Sequence, residues 1–405
     1  MWRRRRPEVT YADPRERSFE KCGSRGRCWT WVRLTLLLHI NGVGLVMGGG
    51  ATHLDRFVPS LMDVRPDWDV LVYLSSDVPE LSIPGVRTEL VNRSSWRRLI
   101  WDSLSVGRRA RTAGADVLLN VANYGPVRSP IPSVLYQRNA LYFDRAWLYR
   151  IGEAGRAQAL LRRELAFAQM RHAAAVVVPS GAMGDYLRSW RRCPRGVPIE
   201  VIPHGVDLER FRFSPADRSG RIRLVSLSHA APHKDQGLLV PLVADLVDRG
   251  ADVELEATIA DEDDPAFVAG LRELVRLAGL EDRIRFVGRV AAPRFLEGAD
   301  AIILPSITEL FGFPVIEAMA SGVPVVASEI RSSVELLGEL GWYFPPGDAT
   351  VAADRVMAVL ESPLAGLYQR LSAAREIASQ YTWERNARSV AELVETVAGQ
   401  HRTGR

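Results

Sequence analysis

The chain repeats one local pattern twice: a short apolar run without polar alternation, a loop rich in glycine or proline, then a helical period. In the first half the apolar runs are Leu34–Ile40, Asp69–Leu74, Asp116–Asn120, Ser133–Tyr136 and Ala173–Pro179. Runs of this kind are buried on both faces, which is the condition of strands in a parallel sheet covered by helices on either side. Glu200-Val-Ile-Pro203-His-Gly205-Val-Asp207 closes that series with a proline stop and a glycine turn, and a polar stretch follows to Gly220. The pattern then restarts at Arg221–Leu227 and continues through Asp252–Ile259, Arg283–Val287, Ala301–Leu304 and Val323–Ala327. Two such series predict an α/β chain of two Rossmann-like, doubly wound domains facing each other across a cleft, with the active site in the cleft. The expected divisions are a basic arm at 1–33, an N-terminal domain at 34–202 and a C-terminal domain at 203–380. Residues 381–405 are expected to form a last helix that packs back toward the N-terminal domain.

Charge separates the arm from the rest. The whole chain has a formal net charge of +4, while residues 1–33 alone carry ten Lys/Arg against four Asp/Glu. The remainder is therefore slightly acidic, which argues against a nucleic-acid-binding core. The arm reads as disordered. Cys22, Cys28 and Cys193 are too few for a disulfide framework, and a reducing cytoplasm fits them. The apolar stretch at 34–45 is too short to span a bilayer and is interrupted by His39 and Asn41. A basic, tryptophan-bearing helix at 94–111 has two readings: a face toward a membrane or lipid-linked substrate, or a domain helix with its apolar residues in the core.

The densest chemistry follows the run Ala301-Ile-Ile-Leu304. The stretch Ser306-Ile-Thr-Glu309-Leu-Phe-Gly312-Phe313-Pro314-Val-Ile-Glu317 joins a strand to a helix, with Pro314 expected at the first helical position and Glu317 in the first turn. Gly312 permits a positive-φ path and close approach of a ligand, and the helix N-terminus offers unsatisfied N–H groups. Two carboxylates at such an anion-ready place would repel a bare phosphate, so Glu309 and Glu317 read as acceptors for the hydroxyls of a sugar or ribose. A positive partner is available. Of the 52 basic residues only Lys21 and Lys234 are lysine, so the one lysine of the folded part reads as a required ammonium, able to bind phosphate as a point charge. The glycine cluster Gly48–Gly50 before the first helix is a second candidate phosphate loop or, equally, a loop packed on the sheet. Asp261-Glu-Asp263 has the D-x-D spacing of a metal site, yet its loop setting reads as solvated acids, and no metal is expected.

With these pieces placed, residues 34–400 resemble the retaining GT-B glycosyltransferases of family 4. Glu309-Leu-Phe-Gly-Phe-Pro-Val-Ile-Glu317 matches that family's pair of glutamates separated by seven residues, with the internal Gly-Phe-Pro. Val201-Ile-Pro-His-Gly-Val-Asp207 and Tyr343-Phe-Pro-Pro-Gly-Asp348 match its flanking signatures. The resemblance implies that Glu309 bonds the donor sugar's hydroxyls and that Glu317 holds the nucleotide ribose, with Gly312, Phe313 and Pro314 in the donor site. It implies that the loop 228–234 binds the diphosphate. The family has an arginine and a lysine five residues apart there; this chain has His229 and Lys234. Gly49 and Gly50 are expected to approach the diphosphate from the opposite wall. Where many members place a sugar-binding histidine, this chain has Gln137-Arg-Asn139 after the strand ending at Tyr136, so Gln137, Asn139 and His53 are candidate sugar or acceptor contacts.

The expected activity is transfer of a sugar, with retention, from a UDP- or GDP-linked donor to a hydroxyl of a glycan or lipid-linked saccharide in cell-envelope polysaccharide synthesis, and it needs no cofactor. No second carboxylate is placed as a covalent nucleophile, so a two-step glycosidase scheme is not favoured. The alternatives are synthesis of a soluble disaccharide or sugar phosphate, and a catalytically silent nucleotide-sugar-binding subunit. The expected setting is the cytoplasm, including its membrane's inner face.

Overall fold

The burial that the apolar runs demand is met by two separate sheets. In a computed structural model, which describes residues 17–20, 28–31, 35–45, 49–77, 82–92, 95–218 and 220–403, all pairings within both sheets are parallel. The seven-stranded N-terminal sheet runs, edge to edge, Val86–Val91, Asp69–Ser75, Leu37–Asn41, Val117–Asn120, Ser133–Tyr136, Ala175–Val178, Ile199–Val201. The six-stranded C-terminal sheet runs Ile284–Phe286, Val253–Ala257, Ile222–Ser226, Ala301–Leu304, Val325–Ser328, Trp342–Phe344. The central strands Val117–Asn120 and Ala301–Leu304 are buried along their whole length, whereas in the edge strand Val86–Val91 only Val91 is buried. That edge strand and Trp342–Phe344 are the two the apolar-run criterion misses, the first because half its residues are polar and the second because it is three residues long.

The C-terminal helix Trp383–Thr403 returns to the N-terminal half. It lays Trp383, Ala387, Val390, Ala391 and Val394 against the helix Gly49–Val64, sharing one core with Leu54, Phe57, Val58 and Leu61. The 383, 387, 390, 391, 394 spacing is the stripe of an amphipathic helix, and each large apolar side chain so buried contributes about 1.5–3 kcal/mol. Arg65 adds a two-pronged contact to Glu395 on the exposed side, at 2.8 and 3.0 Å.

One expectation is corrected and another is sharpened. Within the basic arm, Arg17–Glu20 and Cys28–Trp31 pair antiparallel, because Phe19, Trp29, Thr30 and Trp31 favour a strand whatever the arginines around them do; the other residues of the arm lie outside the described ones. The basic helix is a helix with a π-turn in it: Ser95–Ile100, Trp101–Ser105 and Val106–Thr112 run on without a break. The shifted turn drives Trp101 into the core against Tyr73 while Ile100 and Leu104 face outward, 46% and 56% exposed. Among the described residues no helix is long and apolar enough to cross a membrane.

Candidate active site

The pocket forms where the strand Ala301–Leu304 gives way to the helix Phe313–Ser321. Gly312 stands just before that helix at φ 92°, a left-handed conformation, and a Cβ there would also sit 3.2 Å from Val315 Cγ2. The helix begins one residue earlier than proline alone suggests, so Pro314 is its second residue and Glu317 falls in the second turn. Ser228, Lys234, Ser306, Glu309, Gly312, Pro314 and Ser333 line one small, partly open cavity. Glu309 accepts hydrogen bonds from Lys234 Nζ and, at 3.2 Å, from Ser306 Oγ. Burial alone would raise the Glu309 carboxyl, but the Lys234 ammonium outweighs it and holds the group below the usual range. Without a ligand, the cation and the acid occupy each other.

The loop that carries Lys234 is held from three directions by side chains. Thr258 Oγ1 accepts from Ser228 N at 2.9 Å and donates to Ser228 O at 3.2 Å. Gln236 takes Ala231 N at 3.1 Å on its oxygen and gives its nitrogen to Ser228 Oγ and His229 O at 2.9 and 2.7 Å. Asp263 Oδ2 accepts from Ala230 N at 2.9 Å, while Oδ1 meets Arg289 at 2.8 Å. Asp263 is thus not one of a solvated acidic pair: its side chain is 4% exposed and it pins the loop, while Asp261 pairs outside with Arg272. Among the described residues no cluster of three or more potential metal ligands occurs.

His229 belongs to this loop but differs from the cation expected there. Burial first, then the Lys234 charge, depress its imidazole, against the pull of Asp263 and Glu309, so it is neutral at pH 7 in the unliganded protein. Its neighbour His233 is depressed further, to about 4, by the same two causes, and its ring meets Trp147 of the N-terminal domain edge-on at 5.8 Å. Glu317 lies beyond the cavity lining. Burial pushes it up to about 8 against the nearby Arg210, so most of it is the neutral acid at pH 7.

The opposite wall is arranged otherwise. His53 is fully buried between Phe57, Tyr136, Trp383 and His204, at ring distances of 5.1, 5.5, 5.6 and 4.8 Å. It does not face the cavity. Gln137 is equally buried, and Asn139 is used locally, its side chain capping the turn Ala140–Tyr142 through Leu141 N at 2.9 Å. Phe313 likewise stacks on His204 at 5.0 Å rather than lining the pocket. Gly49 and Gly50 open the helix that runs to Val64; Gly48 lies outside the described residues. Of the candidates, Lys234, Glu309, Gly312 and Pro314 therefore meet in one cavity, with His229 on its loop. Sequence reasoning missed Asp263, Gln236 and Thr258, although Gln236 stands two residues after the lysine. It also missed a polar group at the strand ends of the N-terminal wall, where Asn41 Nδ2 donates to buried Asp102 at 2.8 Å from the π-turn.

Two parallel-sheet α/β domains with the pocket at the strand ends of one of them define the GT-B architecture. The chain matches the family Glycosyltransferase Family 4 over residues 47–210 and Glycosyl transferases group 1 over 207–377. It is 31% identical over 250 residues to the lipopolysaccharide core biosynthesis mannosyltransferase LpsB of Rhizobium meliloti, covering 56% of this chain and 67% of that protein. It is 30% identical over 229 residues to the phosphatidyl-myo-inositol mannosyltransferase of Mycobacterium leprae, covering 54% of this chain and only 59% of that relative's length. In structure it superposes on sucrose-phosphate synthase from Thermosynechococcus elongatus with a TM-score of 0.72, 18% identity and coverage of 90% and 100% of the two chains. Anabaena HepE in complex with UDP-glucose gives a TM-score of 0.68, 20% identity and coverage of 89% and 100%. The chain belongs to the family 4, group 1 glycosyltransferases.

Proposed function

We propose that the chain transfers a sugar, with retention of configuration, from a UDP- or GDP-linked donor to a hydroxyl of a lipid-linked or envelope glycan. The observation that carries this reading is the Lys234–Glu309 ion pair inside the cleft pocket. A nucleotide-sugar presents both an anionic diphosphate and a hydroxylated ring, and it would separate the pair: the ammonium to the phosphates, the carboxylate to the sugar. Neutral His229 donates a hydrogen bond without adding charge, and becomes a cation when the diphosphate's field raises its pKa. As the bond from sugar to phosphate breaks, negative charge grows on the leaving diphosphate, where Lys234 stabilises it. That oxygen is then basic enough to take the acceptor hydroxyl's proton on the same face, so no protein nucleophile is required. Glu317, as a neutral acid, both donates to and accepts from a ribose hydroxyl. The mannosyltransferase relatives, one named for a phosphatidylinositol acceptor and one for lipopolysaccharide core, favour a lipid-linked or envelope acceptor.

A panel of nucleotide-sugars tested by thermal shift identifies the donor, because a ligand at about 100 times its Kd adds about 2.7 kcal/mol of stability. Proton NMR of the product then reads the anomeric configuration. An inverted product overturns retention, and donor binding without transfer to any saccharide or lipid acceptor leaves a nucleotide-sugar-binding subunit.

A further inference from the structure

The N-terminal helix Gly181–Arg188 has its first turn satisfied from the other domain. Its cap, Ser180, accepts from Met183 N at 3.1 Å and at the same time donates to the carbonyl of Leu310. The two N–H groups ahead of Met183 go to Glu335 of the C-terminal domain: Gly181 N to Oε1 and Ala182 N to Oε2, each at 2.7 Å. A carboxylate spanning two free amides at the positive end of a helix is a strong, directional contact. Arg331, one turn before Glu335 on the helix Arg331–Leu337, pairs with Asp185 at 3.3 Å beside it. A Cβ at residue 181 would meet Glu335 Oε1 at 3.4 Å, an ordinary van der Waals contact, so the clasp packs closely on the first turn of the helix.

The C-terminal partners in this contact adjoin the pocket. Leu310 follows Glu309 directly, and Glu335 stands two residues after Ser333; both Glu309 and Ser333 line the cavity. A ligand that draws Glu309 and Ser333 inward therefore moves the two groups that hold the N-terminal helix. Glu335 is exposed, as a contact that must open and close needs to be.

We propose that Glu335 is a positioning residue: a releasable clasp on the helix Gly181–Arg188 that holds the N-terminal domain over the filled donor pocket, so that occupying the pocket and closing the cleft are one event. This rests on the glycosyl-transfer reading above for its consequence, though not for its geometry. Closure brings the acceptor wall to the donor and excludes water, so a loosened clasp lowers transfer more than donor binding and lets water compete for the sugar.

The test uses the full chain and its Glu335→Ala, Glu335→Gln and Glu335→Lys variants. Small-angle X-ray scattering with and without UDP or GDP reads cleft closure, and initial rates read transfer and donor hydrolysis. Lysine is expected to open the cleft most, alanine next, and glutamine least, because its oxygen still accepts one amide while its NH₂ opposes the other. Transfer is expected to fall about tenfold for alanine with donor KM changed less than threefold, within the usual range of coupling between sites. The hydrolysis-to-transfer ratio should rise, which a merely destabilised protein would not show. Ser180→Ala, which removes the neighbouring bond, serves as a second variant and should open the cleft in the same sense. Unchanged scattering and an unchanged ratio in all four variants overturn the proposal. If the wild-type chain transfers no sugar, the scattering series still decides the clasp, and it is the functional reading that fails.

Discussion

The two walls of the cleft are built on different principles. The C-terminal wall keeps its charged groups at the cavity surface and fixes the loop beneath them with Thr258, Asp263 and Gln236. The N-terminal wall turns its polar side chains inward: His53 and Gln137 are fully buried, and His53 joins His204, Phe313 and Trp383 in an aromatic seam between the domains. One wall keeps a charged pair at a cavity over a side-chain-braced loop. The other is organised chiefly to hold the domains together. A charge change on the first should therefore act chiefly on rate, and a charge change on the second chiefly on stability.

The largest expected effect is on the donor wall. Lys234→Ala should lower transfer by about 3–4 kcal/mol of transition-state stabilisation, a factor of 10²–10³, by analogy with loss of one oxyanion donor. The melting temperature should fall as well, because Lys234 is buried and its loss leaves Glu309 without its cation, so rates are compared per folded enzyme. A Lys234→Ala enzyme with normal initial rates would remove the reason for placing the diphosphate here.

The seam is expected to respond to acid instead. Burial above all, aided by Arg138, holds both His53 and His204 well below their ordinary range, and the two rings stand 4.8 Å apart. In the unfolded chain each titrates near 6.5, so below that pH the unfolded state binds more protons and folding stability falls as pH falls. Two such groups together remove about 2.7 kcal/mol per pH unit below 6.5 until the folded state takes up the protons itself. Urea unfolding of wild type and His204→Phe between pH 7.5 and about 5 checks this slope; phenylalanine keeps the stack on Phe313 and should roughly halve the dependence. Equal slopes in the two proteins would show that the acid sensitivity lies elsewhere.

A smaller effect belongs to the support of the donor loop. Asp263→Ala leaves Ala230 N without its acceptor and removes one of the contacts of Arg289. The cost should be about 1–3 kcal/mol, the desolvation penalty of an orphaned group, read mainly as weaker donor binding in calorimetry. Asp261→Ala, on the exposed side of the same turn, should be close to wild type. If both variants behave alike, the loop is held by Thr258 and Gln236 alone.

The donor wall was legible in the sequence because its chemistry is local. Glu309, Gly312, Pro314 and Glu317 sit on one strand–loop–helix, and one of only two lysines in an arginine-rich chain stands out wherever it lies. The apolar runs gave both sheets for a similar reason, since a strand buried on both faces announces itself by composition. What stayed hidden depends on contacts made at long range. Nothing around His53 in the chain shows that His204 and Trp383 close over it, and nothing near Asp263 shows that its carboxylate reaches back to Ala230 N. Trp101 was hidden by a single turn of π-helix, which shifts the register of the residues that follow.

That shift makes the outer side of the helix region 95–112 the smallest effect to test, and the one that most sharpens the account of the N-terminal wall. Ile100 and Leu104 project outward four residues apart, and Arg97, Arg108 and Arg111 are exposed on the same stretch. Two exposed apolar side chains on a stretch with exposed arginines suit the boundary of an anionic bilayer, each arginine contributing about 1 kcal/mol near such a surface. Leu104→Asp should lower co-sedimentation with vesicles containing phosphatidylserine by about 1–2 kcal/mol, since it removes one inserting group and adds a repelled charge. Turnover of a soluble acceptor should stay unchanged, because Leu104 faces away from the core that carries the sheet. Should wild type and variant bind such vesicles equally, or neither bind at all, the outward side of the helix is ordinary surface, and the N-terminal wall serves only to meet the donor wall across the cleft.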